Sequence, residues 1–192
     1  MTRLHLVRHG PTHARTMVGW SDLPADLSDT EAIGRLSAHL PEQAVVVSSD
    51  LIRAADTATA LQGARTRLPD RAALREMRFG DWELRAHADI EAEDPERIRA
   101  FWDRPGEVRP PGGESWHELS ARVDRDIDAL VTAHPGGDIV VVAHFGVILC
   151  QLQRALRVSA EDVFAHRIDN LSVTRITCAP EDWTADLINH RP

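Results

Sequence analysis

Three short apolar runs constrain this chain more than any other feature: Leu4-His5-Leu6-Val7, Ala44-Val45-Val46-Val47 and Ile139-Val140-Val141-Val142-Ala143. A strand with one wet face alternates apolar and polar residues. These runs instead hold consecutive, largely β-branched residues, as central strands of a parallel sheet covered on both faces do. Helical patterns follow two of them directly, Ala55 to Leu61 and Val147 to Leu156. Ser28-Asp29-Thr30-Glu31 reads as a capping box opening a helix with Ala32, Ile33, Leu36 and Leu40 on one face, and Ser115-Trp116-His117-Glu118 as a second box, followed by Leu119, Val123, Ile127 and Leu130. Strands alternating with helices imply βαβ units, hence an α/β fold: a three-layer α/β/α sandwich around a mostly parallel sheet.

At 192 residues the chain fits one domain, expected to span residues 1–192 around one core. Hydrophobic residues at 43% and charged residues at 27% are ordinary globular usage, so the chain is expected to fold alone. A formal net charge of −8 argues against nucleic acid and against an anionic membrane surface as partners, and an anionic ligand would need a local island of positive charge. Cys150 and Cys178 lie in apolar runs and read as buried, reduced thiols. No apolar stretch reaches the ~18 residues of a membrane span, and the first residues lack a secretory layout. A cytoplasmic location is the expectation; the oligomeric state is left open.

Leu171 to Cys178, with Val173, Arg175 and Thr177 alternating, reads as a late strand at the sheet edge. Trp82 to Gly113 is the least regular part, with Asp94-Pro95 as a helix start and Arg109-Pro110-Pro111-Gly112-Gly113 as a rigid loop.

Each buried run ends in chemistry-bearing residues: Arg8-His9-Gly10 after the first, Ser48-Ser49-Asp50-Leu51-Ile52-Arg53 after the second, His144-Phe145-Gly146 after the third. Parallel strands bring these ends to one edge of the sheet, where ligands bind in open α/β folds. Taken singly, His9 is a turn residue, Arg53 a surface cation paired with Asp50 or Asp56, and His144 a satisfied core histidine. Taken together, two arginines and two histidines make a phosphate site. Arg53 also falls in the first turn of a helix, where the macrodipole disfavours a cation unless an anion lies nearby. His5, His9 and His13 cross from strand to turn and share no face, so no zinc site is read there. No metal and no cofactor are expected.

A further element, Leu74-x-Glu76-x-x-Phe79-Gly80-x-Trp82-Glu83, completes a set. With Arg8-His9-Gly10-x-Thr12, Gly19-x-x-Asp22-x-Pro24, Ser49-x-Leu51-x-Arg53-Ala54, Pro111-Gly112-Gly113-Glu114-Ser115 and His144-x-Gly146, the chain from Leu4 to about Ser172 resembles the histidine phosphatase superfamily. That superfamily includes phosphoglycerate mutases, fructose-bisphosphatase domains and α-ribazole phosphatases, and the resemblance is to α-ribazole phosphatase-type members. It implies a phosphoglycerate mutase-like fold and a phosphomonoester hydrolase acting on a small phosphorylated metabolite through a phosphohistidine. By that resemblance His9 attacks phosphorus, and Arg8, Arg53 and His144 hold the equatorial oxygens. Glu76 is the general acid, its pKa raised by desolvation from Phe79 and Trp82. Without the resemblance, Glu76 would read as a solvated partner of Arg75 or Arg78. Thr12, Gly10, Arg15, Arg78 and Phe145 are the expected substrate-binding residues, and Glu114 and Ser115 shape the pocket.

The chain departs from the family pattern at Arg15, where many members carry asparagine, and at Pro11, where glutamate is frequent. The stretch from Glu76 to His144 is short, which favours a phosphatase over the alternative, a cofactor-dependent phosphoglycerate mutase. A catalytically silent phosphate- or partner-binding module is the third alternative, and the intact nucleophile and acid speak against it.

Overall fold

The computed structural model describes residues 1–192. The three apolar runs form β1 (Thr2–Arg8), β2 (Val45–Ser48) and β4 (Asp138–Ala143), and a two-residue β3 (Thr66–Arg67) follows the second. With β5 (Val173–Cys178) and β6 (Trp183–His190) they make one six-stranded sheet in the order β3-β2-β4-β1-β5-β6. The first four strands in that order run parallel, β5 runs antiparallel to β1, and β6 reverses again beside β5.

Both faces are covered, and the period-two alternation assigns residues to layers. Leu4, Leu6, Ile139, Val141 and Ala143 face α5 (Trp116–Ala133) and α6 (Phe145–Leu156). Val7, Val46, Val140 and Val142 face α1 (Thr30–His39) and α2 (Ile52–Gln62). On α5 the expected box forms: Ser115 Oγ accepts from the Glu118 amide and Glu118 accepts from the Ser115 amide. Its buried stripe is Trp116, Leu119, Val123, Ile127 and Leu130, where each aliphatic side chain contributes about 1.5–3 kcal/mol.

Three expectations change. The box at Ser28 does not form, because Asp29, directly before the helix, caps α1 by accepting from the Ala32 amide at 3.0 Å. An aspartate there serves both the free amides and the helix dipole. Leu171 to Cys178 is not an edge, since β6 pairs outside β5. That outer strand, with no fully buried residue, carries too weak a hydrophobic signal to have been read. The 82–113 segment holds two short helices, α3 (His87–Glu93) and α4 (Pro95–Asp103), with Asp94 capping α4. Ile90, Ile98 and Phe101 anchor them to the core beside α5. A four-residue α7 (Ala160–Val163) completes the helices.

Register fixes the functional edge. Arg8 pairs with Ala143, so the residues that follow, His9 and His144, leave the sheet side by side.

Candidate active site

His9 is 7% exposed at the end of β1. Its Nδ1 lies 2.6 Å from the Gly10 carbonyl, which can only accept, so Nδ1 carries the proton and Nε2 presents a lone pair. Arg53 Nε donates to that Nε2 at 3.3 Å. Burial first, then the Arg53 charge, lowers the His9 pKa to about 3, so the imidazole is neutral across the physiological range. Asn170 Nδ2 donates to the His9 carbonyl and Thr57 Oγ1 accepts from the Gly10 amide, which fix the turn.

Arg53, 1% exposed in the first turn of α2, pairs with neither Asp50 nor Asp56. Its Nη1 and Nη2 donate to the carbonyls of Ser21 and Gly19. That loop is in turn held by Glu83, whose carboxylate accepts from the amides of Gly19, Trp20, Ser21 and Phe79 and from the Ser21 hydroxyl. Burial alone would raise the Glu83 pKa, but these bonds keep it below the usual range. Gly19 is obligatory, since a Cβ there would collide with the Met77 carbonyl. The side chain of Asp22 accepts from the Ile52 amide at the start of α2.

Arg8 donates to the Ile168 carbonyl and lies over the Phe145 ring, 5.5 Å from its centroid, while its Nε is buried without a partner. His144, fully buried before α6, packs edge-on against His9 with centroids 5.1 Å apart. Neither of its ring nitrogens has a hydrogen-bond partner, and burial holds its pKa well below the ordinary value. Buried unpartnered donors are rare, and here they converge with two guanidinium groups.

Glu76 is not the solvated partner of a neighbouring arginine: Arg75 makes a two-pronged pair with Asp50 at 2.7 Å. The Glu76 carboxyl is 8% exposed and accepts from the amides of Met77 at 2.8 Å and Gly146 at 3.1 and 3.2 Å. Burial raises its pKa against the pull of those amides and of Arg53 and Arg8, and burial wins. The net push is toward the protonated form. From behind, Arg122 donates to the carbonyls of Ala73, Arg75 and Glu76 while gripping Glu114 through Nε and Nη2. Glu114 also accepts from the Arg78 amide. Of the two expected desolvating rings, Phe79 lines the space beside Glu76. Trp82 lies deeper, edge-on to Phe101 at 5.5 Å, and Phe101 takes its place in that lining.

His9, Arg53, His144, Glu76, Arg8 and Phe145 therefore come together. Gly10 joins them through packing, since a Cβ would meet Leu27 at 2.7 Å. Thr12, Arg15 and Arg78 do not: Thr12 Oγ1 accepts from the Ala14 amide, Arg15 is exposed, and Arg78 is exposed over the Trp20 ring. Asn170 and Arg122 were missed, the first looking like a turn residue and the second like a cation on the wet face of α5. A cleft of about 830 Å³ between α1 and α2 lies apart from these groups, and its one buried cation, Arg65, is spent on backbone carbonyls. No group of three or more His, Cys, Asp or Glu side chains is placed to hold a metal ion.

A neutral imidazole, two guanidinium groups and a buried carboxyl thus gather on one rim of the sheet. Residues 4–191 match the histidine phosphatase superfamily, branch 1. The chain belongs to that family. It is 31% identical over 199 residues to the adenosylcobalamin/alpha-ribazole phosphatase of Escherichia coli, covering 98% of this chain and 96% of that protein. It is 37% identical over 161 residues to the glucosyl-3-phosphoglycerate phosphatase of Mycobacterium tuberculosis, covering 76% and 71%. Among solved structures, Bacillus stearothermophilus YhfR superposes with a TM-score of 0.90 at 27% identity, covering 98% of this chain and 97% of that one. This histidine phosphatase thus shares its fold over nearly the whole chain with phosphoglycerate mutase-like relatives.

Proposed function

We propose that this histidine phosphatase hydrolyses monoesters of small phosphorylated metabolites, with residues 1–192 acting as one catalytic domain. The observation that carries the reading is the His9 imidazole, neutral, locked by Gly10 and presenting Nε2 beside Arg53. The names of its relatives, both phosphatases, support it.

In the first step His9 Nε2 attacks phosphorus in line as the bond to the leaving oxygen breaks. Glu76 gives its proton to that oxygen and the alcohol departs. The developing equatorial charge is met by the Arg8 and Arg53 guanidinium groups and the ring N–H of His144; the Arg8 Nε and the His144 nitrogens are buried without a protein partner. In the second step Glu76, now ionised, takes a proton from water as its oxygen attacks the phosphohistidine. The N–P bond breaks, inorganic phosphate leaves, and both side chains return to their starting states. Phe145 steers Arg8 from below and Gly10 shapes the turn. Thr12, Arg15 and Arg78 belong to the outer mouth, where they meet the distal part of a substrate. Side chains supply the positive charge, so no metal or cofactor takes part. No helix is long and apolar enough to cross a membrane. The free, buried thiols Cys150 and Cys178 fit a reducing compartment, and we assign the enzyme to the cytoplasm.

Phosphate release from a panel of phosphorylated metabolites, assayed after exhaustive chelation, tests the reading. Wild type should turn over and yield an acid-labile, base-stable phosphoprotein on quenching, and His9→Ala should do neither. Rapid isomerisation of 3-phosphoglycerate with negligible phosphate release would make the enzyme a mutase.

A further inference from the structure

The position of the proton donor restricts what can leave. Glu76 has to reach the leaving oxygen, so the first carbons of the departing alcohol lie against the wall that holds the carboxyl. That wall is aromatic. Beside Glu76 is a cavity of about 40 Å³, bounded by Phe79, Phe101, Trp102, Phe145 and Phe164. The rings form a connected edge-to-face chain: Phe79 to Phe101 at 6.3 Å, Phe101 to Trp102 at 5.0 Å and Trp102 to Phe164 at 6.1 Å. Trp102 is 38% exposed, an indole left partly in water at the end of α4.

No basic side chain lines this cavity. Arg8 sits over the Phe145 ring, and neither it nor Arg53 is in the lining. Arg78 lies over Trp20, outside the lining. A carboxylate or a bare polyol next to the leaving oxygen would lose water here and gain no partner, which is unfavourable. An apolar group would gain. Since an apolar cavity of ~150 Å³ holds a benzene ring, 40 Å³ admits the edge of a ring or a pair of branched methyls.

Resting on the reading of Glu76 as proton donor, we infer that the enzyme selects phosphate monoesters of uncharged alcohols whose compact apolar group, a ring edge or a branched alkyl, enters this cavity. Trp102 and Phe164 are then specificity-determining residues, supplied by the 82–113 segment and the turn after α7.

The test compares kcat/KM of the full chain for ethyl, 2-methylpropyl and 2-phenylethyl phosphates, with 3-phosphoglycerate as the charged competitor. The three leaving groups are primary alcohols of similar acidity, so their demand on Glu76 is matched. The 2-phenylethyl and 2-methylpropyl esters should each exceed ethyl phosphate by about tenfold or more, the usual worth of filling an apolar pocket, and 3-phosphoglycerate should rank last. Trp102→Ala should pull the phenylethyl-to-ethyl ratio toward one, and Trp102→Leu should restore part of it. Equal kcat/KM for the wild type across the esters, or a preference for 3-phosphoglycerate, overturns the inference and leaves the phosphatase reading standing. Absence of phosphate release from every ester, p-nitrophenyl phosphate included, overturns the underlying reading instead.

Discussion

Burial is the largest influence on both Glu76 and His9 and pushes each toward its neutral form. A neutral carboxyl can donate a proton and a neutral imidazole can attack. As pH rises through the elevated pKa of Glu76, the donor is lost and kcat/KM for alkyl phosphates should fall. With a pKa of about 3, His9 contributes no acid limb near neutrality. Glu76→Gln should abolish the alkaline limb and slow alkyl phosphates by roughly 10²- to 10⁴-fold. Aryl phosphates, whose oxygen leaves without much protonation, should lose far less; equal losses on both would mean that another group donates the proton. That the Glu76 pKa would rise was legible only through the family motif. In the chain it stands between Arg75 and Arg78 and looks like an ion-pair partner, and only the fold draws Arg75 away to Asp50.

At the scale of elements, the Glu76 carboxyl occupies the amino end of α6, accepting the free amide of Gly146. No other side chain caps that helix end. The contact depends on glycine, because a Cβ at position 146 would collide with Oε1. Gly146→Ala should therefore displace the donor: alkyl phosphate turnover falls by about tenfold or more while aryl phosphates are largely spared. A leaving-group series measures this, and uniform losses would point to a general distortion of α6 instead. The helices and central strands could be read because their apolar periods are strong: Ile127 and Leu130 repeat on α5, and Val140 to Val142 run unbroken in β4. Strand β6 could not, since Thr184, Asp186 and Asn189 interrupt its pattern and its stability comes from pairing with β5. The same limit hid Asn170. It reaches the His9 carbonyl only because β5 lies beside β1, a pairing far apart in sequence.

For the whole molecule, the aligned carboxyl ends of β1, β2 and β4 concentrate titratable groups where burial is deepest. His9 and His144 have folded pKa values below the unfolded value of about 6.5. Above that pH both are neutral in either state, and stability is unaffected by them. Below it, the unfolded chain binds protons that the folded one refuses, so each histidine removes up to about 1.4 kcal/mol per pH unit as pH falls, for His9 down to about pH 3. Glu76 acts in the opposite sense, its raised pKa favouring the fold at low pH and losing that contribution as pH rises through the folded value. Urea midpoints of wild type and His144→Leu, compared at pH 7 and pH 5, separate the terms: the variant's margin over wild type should widen at pH 5. That margin should already be positive at pH 7. A leucine fills the site without a polar atom, whereas the imidazole is buried with both nitrogens unpartnered. Selection for folding alone would discard His144. A more heat-resistant, catalytically dead His144→Leu protein would show the active site opposing the rest of the sequence, a local conflict kept because the chemistry requires it.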